Sequence, residues 1–147
     1  MISPLPTLLG LSLALLPLMG CSPDADGTQE PTPQPERVTG TLIFDATPSS
    51  FDGLYVTAQI LDVTDGDASA PVISQWVGSD FSTLPIPYTL GYDADLLDTE
   101  KTYAVSAKVE EAVLEGDPIL RYITGENFPV ITQGAGHQAD LLLETVE

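Results

Sequence analysis

From Arg37 onward, apolar and polar residues alternate over short stretches separated by turn residues. A period of two marks half-buried strands, whereas an amphipathic helix would repeat near 3.6. In "GLYVTAQILDV" the residues Leu54, Val56, Ala58 and Ile60 share one face and Tyr55, Thr57 and Gln59 the other, with Asp65-Gly66 following as a turn. "TYAVSAKVEE" alternates most cleanly, setting Tyr103, Val105, Ala107 and Val109 against Ser106, Lys108 and Glu110. "RVTGTLIF" places Val38, Leu42 and Phe44 on one face, and its Gly40 marks a bulge or a close backbone approach.

"PVISQWV", "LPIPYTLGY", "ILRYIT" and "QADLLLETV" complete the strand set. Pro85 and Pro87 cannot donate to a ladder, which puts their strand on an edge and discourages pairing with another chain. Trp76 is expected in core or rim packing, with an aromatic binding anchor as the alternative. The last strand is expected to bury Ala139, Leu141 and Leu143, with Val146 a further candidate, and "ADLLD" at 94–98 is the one expected helical turn. About seven short strands joined by turn-rich connections predict an all-β domain over 37–147, an antiparallel β-sandwich. The Cys…Trp…Cys landmarks of immunoglobulin domains are absent, so the expectation concerns architecture and not that family.

The pattern is different before Arg37. Residues 1–20 carry no charged side chain, are rich in Leu and are broken by Pro4, Pro6 and Pro17. A spanning helix needs about 20 continuous apolar residues, whereas the apolar core of a signal peptide needs only about 7–15. Leu8 to Leu18 fits the second. The run ends in Leu18-Met19-Gly20-Cys21, which resembles the bacterial lipobox, where cleavage precedes a cysteine carrying a diacylglyceryl thioether. Cys21 would then be the first mature residue, and a further acyl chain on its amino group would bring the anchor past the two chains that stable attachment requires. Two features depart from the usual pattern: no Lys or Arg precedes the apolar run, and Met19 is uncommon inside the motif. The alternative is an ordinary cleaved signal peptide and an unmodified thiol. By the same resemblance, Ser22 rather than Asp after the cysteine favours sorting to an outer membrane.

Residues 21–36 are acidic and interrupted by Pro23, Pro31, Pro33 and Pro35, a composition that cannot build a core and predicts a disordered, extended tether. Asp24-Ala25-Asp26-Gly27 superficially matches the start of a calcium loop, but no bidentate Glu follows at the required spacing.

Charge narrows the partners. Lys and Arg total 4 against 22 Asp and Glu, a formal net charge of −18, which repels phosphate backbones and argues against nucleic acid. The simplest reading of the acidity is a solvated surface. One cysteine allows no internal disulfide, so the domain must be held by its own core.

Enzymatic chemistry finds little to work with. His137 is the one side chain able to exchange protons near neutral pH, it sits in a Gly-rich segment, and neither a G-x-S-x-G elbow nor a P-loop occurs. No catalytic residue and no cofactor beyond the covalent lipid are expected, and one histidine cannot supply a tetrahedral metal set. Two acidic segments offer hard oxygen ligands for calcium: Asp93, Asp95, Asp98 and Glu100 in one, Asp62, Asp65 and Asp67 in the other. Neither spacing matches a known loop motif, and solvated acidic loops account for both.

Several segments together resemble the YbaY/YscW family of small bacterial lipoproteins. They are Val38-Thr39-Gly40-Thr41, the strand ending Asp62-Val63, the edge strand Pro85-Ile86-Pro87-Tyr88 leading into an Asp-rich loop, Pro129-Val130-Ile131-Thr132-Gln133-Gly134, and Ala139-Asp140-Leu141-Leu142-Leu143. The likeness covers most of 38–144 and is most specific near the end. It implies a β-sandwich lipoprotein of the cell envelope; the expected place is the outer membrane, facing the periplasm, with the inner membrane or the cell surface as alternatives, and many members have no assigned role. Some members are chaperones, or pilotins, that bind a secretin subunit and help deliver it to the outer membrane. The resemblance carries no catalytic residues. The expected partners are therefore the bilayer, through acylated Cys21, and a secretin or other envelope protein. Competing readings are a structural envelope lipoprotein without a dedicated client and a calcium- or glycan-binding domain.

Overall fold

The computed structural model describes residues 36–66 and 69–147. The expected signal peptide and lipobox at 1–20, Cys21, and the tether as far as residue 35 lie outside the described residues, as does Asp67. Eight strands follow in order: β1 Glu36–Phe44, β2 Leu54–Asp62, β3 Val72–Ser79, β4 Ile86–Tyr92, β5 Tyr103–Glu111, β6 Ile119–Thr124, β7 Phe128–Val130 and β8 Leu141–Thr145. A single 3-10 turn, Ala94–Leu96, occupies the expected helical position.

Each strand expected from the alternation is present, and in β1, β2, β4, β5 and β8 the apolar face is the buried one, whereas β3 and β6 leave Val72, Ile73, Val77, Ile119 and Ile123 exposed. Val38, Leu42, Leu54, Val56, Ala58, Ile60, Tyr103, Val105, Ala107, Val109, Leu141 and Leu143 all enter one core, joined from the edge strand by Ile86, Tyr88, Leu90 and Tyr92. Ala139 is buried as expected, whereas Val146 is exposed: its N–H still donates to the Arg121 carbonyl at 2.9 Å, but it falls on the same outward face as Leu142 and Glu144. β7 was not legible as a strand: Phe128-Pro129-Val130 is three residues long, its centre is a proline, and it pairs only with the first half of β5.

The arrangement of the strands differs from the expected antiparallel sandwich in two respects. They form one sheet, in the order β3-β2-β5-β6-β8-β1-β4 with β7 beside β5, and the first and last strands of the chain, β1 and β8, pair in parallel. A parallel pair needs a long connection between its strands; here that connection is nearly the whole domain. The sheet curls until its two end strands, β3 and β4, lie alongside each other without a backbone ladder between them. All inner faces therefore point into one enclosed, barrel-like core in place of a layer between two sheets.

The parallel pair has a built irregularity. Thr39 N–H donates to the His137 carbonyl at 2.9 Å and Ala139 N–H to the Thr39 carbonyl at 3.0 Å, as a parallel ladder requires. The next acceptor in sequence, the Ala139 carbonyl, turns inward and receives the Tyr88 hydroxyl at 2.5 Å. A Cβ at position 40 would collide with that carbonyl, so Gly40 is the residue that lets it pass. Thr41 N–H, left without its ladder partner, donates to the Asp140 carboxylate at 2.9 Å, and the Thr41 hydroxyl donates to the same oxygen at 2.8 Å.

A second irregularity lies in β5, whose outer neighbour changes from β7 to β6 after Val105. Ala107 falls in the gap, and the buried Thr124 hydroxyl fills it by accepting from Ala107 N–H at 3.2 Å and donating to the Ala107 carbonyl at 3.4 Å.

Candidate functional site

The acidic loop after β4 is organised around its own backbone. The Asp93 carboxylate accepts from Asp95 N–H at 3.0 Å and so caps the 3-10 turn, while Asp98 accepts from Glu100 N–H at 2.9 Å. Asp98 N–H in turn donates to the Tyr103 hydroxyl. Asp95 and Glu100 are exposed. Among the described residues no three Asp, Glu, His or Cys side chains are gathered as a metal site, so Asp93, Asp95, Asp98 and Glu100 are neighbours in sequence that the fold does not converge.

The other acidic segment is divided. Asp62 is buried at the end of β2 and takes the Lys101 ammonium at 2.6 Å and the Thr64 hydroxyl at 2.6 Å. The bond from Lys101, and then that from Thr64, hold its carboxyl down to about 2. Asp65 is exposed in the following turn. The loop carrying Lys101 is clamped from the opposite side: the Thr132 hydroxyl donates to the Lys101 carbonyl at 2.7 Å, and the Gln133 amide approaches the carbonyls of Thr99 and Glu100 at 3.4 and 3.5 Å. Ile131, Gln133 and Gly134 all take positive φ to make that turn.

His137 lies flat against Tyr92, ring centroids 6.2 Å apart, with its Nε2 3.6 Å from Glu36; the Tyr92 hydroxyl donates to the same Glu36 carboxylate at 2.7 Å. Burial, and then that bond, raise the Tyr92 phenol above its usual range. These contacts fasten the first described residue of the domain to β4 and the 131–138 segment.

The surface least explained by packing is β3. It pairs on one side only, with β2, through a register running from Tyr55 opposite Ser79 to Leu61 opposite Val72. Its outer residues are apolar or neutral: Val72 is 50% exposed, Ile73 38% and Val77 53%, and Gln75 is bonded to Gln59 at 2.7 Å. Trp76 points to the inner side, partly buried, where it lies over Gly78 and against Phe81; it is rim packing for the barrel. No residue of Val72–Ser79 is charged. Toward β4, the Ser74 hydroxyl donates to the Gly91 carbonyl at 2.6 Å, and among the described residues this is the one hydrogen bond that crosses the seam.

Beside β3, the outer face of β2, β5 and β6 forms a shallow cleft of about 340 Å³ lined by Thr57, Gln59, Ser106, Lys108, Ile123 and Asn127. Lys108 is already paired with Glu110 at 2.9 Å. Beside that ion pair, Thr57, Gln59, Ser106 and Asn127 give the cleft neutral donors and acceptors.

The comparisons with known proteins agree with this outline. A family model described as type III secretion system lipoprotein chaperone matches residues 33–143. The chain belongs to that YscW family. A similar solved structure is described as that of an alternative pilotin from the type II secretion system of Vibrio cholerae; the two share 28% identity at a TM-score of 0.66, over 76% of this chain and 97% of that one. No curated protein is matched.

Within this YscW domain, the motifs behind the resemblance turn out to be parts of the barrel. Gly40, Tyr88, Ala139 and Asp140 meet where β1, β4 and β8 adjoin, and the Pro129–Gly134 turn clamps the loop after β4. Sequence reasoning found β3 as a strand but not its edge position, because pairing order is not visible in the sequence.

Proposed function

We propose that this protein is a pilotin-like envelope lipoprotein, non-enzymatic, which binds a secretin subunit or another envelope assembly protein and assists its delivery to the outer membrane. The observation that carries the reading is the shared domain: a YscW-family match across 33–143 joined to a barrel like that of a pilotin over 97% of its length. In this reading, cleavage between Gly20 and Cys21 exposes Cys21 for acylation, and residues 21–36 tether the barrel to the outer membrane on its periplasmic side. Two or three acyl chains supply the retention, the proline-rich tether supplies reach, and the barrel supplies recognition.

The neutral outer face and uncharged β3 edge support recognition of a protein partner. The acidic remainder of the surface keeps the tethered domain soluble and repels phosphate polymers. The test is fractionation of cells with and without the gene: the secretin subunit should leave the outer-membrane fraction on deletion and return with wild type, but not with Cys21→Ser. A secretin distribution unaltered by deletion would refute the reading.

A further inference from the structure

We propose that the edge of β3 that makes no ladder with β4 is the docking strand for an extended partner segment, uncharged and apolar in its middle and carrying lysine or arginine at both ends. The inference rests on the chaperone reading above and places its recognition surface.

The two ends of the sheet are not equivalent. β4 carries Pro87 within it and Pro85 just before it, and prolines on an edge remove donors and resist pairing. β3 carries neither charge nor an internal proline; Pro71 directly precedes it, and its ladder to β2 is bulged at Ile73, so the regular stretch of the edge is Ser74–Ser79. Natural edge strands are usually blunted by charged side chains, prolines or bulges, and an open apolar edge presents alternate N–H and C=O groups as a template for another strand. In a chain of net charge −18, an edge of eight consecutive uncharged residues is where another chain can lie without meeting carboxylates.

The surroundings define the ends of that partner. Asp80 follows β3 directly, its carboxylate receiving the Ser79 hydroxyl at 2.9 Å. At the other end, Pro71 is bonded to Asp62 of the β2 terminus, which leads into exposed Asp65, and Ser74 is bonded to Gly91, two residues before exposed Asp93. Carboxylates thus flank an uncharged strand, and the complementary segment has cations outside an apolar centre. Addition of this strand replaces the single Ser74–Gly91 bond across the seam with a ladder along β3.

The probe is a set of overlapping synthetic peptides that together cover the secretin subunit of the same cell, added to the full-length acylated chain in detergent. A binding peptide should slow amide hydrogen exchange within Val72–Ser79. Val77→Lys should weaken that peptide about tenfold or more, and Val77→Glu should weaken it less. Val77 is 53% exposed, so both variants should keep the wild-type melting temperature. A peptide that binds Val77→Lys as tightly as wild type, or slows exchange only elsewhere, would overturn the docking strand and leave the chaperone reading standing. Absence of binding by every peptide would overturn both.

Discussion

The Tyr88 hydroxyl donates to the Ala139 carbonyl at 2.5 Å, and this contact joins the edge strand β4 to the segment that enters β8. It is buried, it lies over Gly40, and it draws the carbonyl out of the parallel ladder that Asp140 then repairs for Thr41. Burial, and after it the charge of Asp140, raise the Tyr88 phenol well above its usual range, so the hydroxyl stays a donor at any physiological pH.

Removing either side of this arrangement should cost stability through different mechanisms. Tyr88→Phe leaves a buried carbonyl without its donor, a loss of about 1–3 kcal/mol. Gly40→Ala forces a methyl into the Ala139 carbonyl and should cost about 3 kcal/mol or more, since backbone must move on both strands. Urea unfolding of the two variants and the double variant checks this. The double variant should fall short of additivity, because the contacts share one carbonyl.

The gap in β5 makes a similar prediction with a built-in control. Thr124→Val removes the hydroxyl that serves both Ala107 N–H and Ala107 C=O and should lower stability by about 1–3 kcal/mol, whereas Thr124→Ser should retain most of it. Equal melting temperatures for wild type and Thr124→Val would show that the ladder gap is closed by other means.

Asp62 should make the domain acid-sensitive in a defined range. Its carboxyl is held down to about 2 in the folded state by Lys101 and Thr64, against about 3.9 when unfolded. A depressed folded value means the contribution is complete above the unfolded value and disappears as pH falls toward the folded one. Stability measured by urea should therefore drop between about pH 5 and 2, and Asp62→Asn should be less stable at neutral pH with a shallower acid slope. A parallel slope in the variant would assign acid sensitivity to other carboxylates, Asp45 among them, whose carboxyl is also lowered, chiefly by Thr145 N–H.

The loop after β4 offers a test of the calcium reading. Asp93 and Asp98 spend their carboxylates on Asp95 and Glu100 N–H groups, so Asp93→Ala and Asp98→Ala should each lower stability by about 0.5–2 kcal/mol, whether or not calcium is present. A melting temperature that rises with added calcium in wild type, and no longer does so in either variant, would instead identify the loop as a cation site.

Which face is buried was legible in the clearly alternating strands, because alternation records it residue by residue. The β2 and β5 patterns were reproduced without exception at Leu54, Val56, Ala58 and Ile60 and at Tyr103, Val105, Ala107 and Val109. Pairing is nonlocal and leaves no such mark. Nothing in "RVTGTLIF" or "QADLLLETV" announces that the two run parallel and close the sheet into a barrel, except Gly40, whose role depends on a carbonyl about a hundred residues away. The edge position of β4 could be read from its prolines, since a missing donor is a local fact. That of β3 could not, since its open edge is defined by which strands do not pair with it. Motif likeness pointed to the family through residues that build the barrel, while the surface assigned to recognition carries none of them.

The account stands or falls on whether an acylated Cys21 holds this barrel beside a secretin. Intact-mass spectrometry of the membrane fraction, with crosslinked pull-down from the same cells, compares wild type with Cys21→Ser. The account predicts a diacyl or triacyl mass that vanishes in the variant, together with a secretin subunit crosslinked to the membrane-bound wild type. An unmodified thiol in the soluble fraction, with no envelope protein crosslinked, would contradict it.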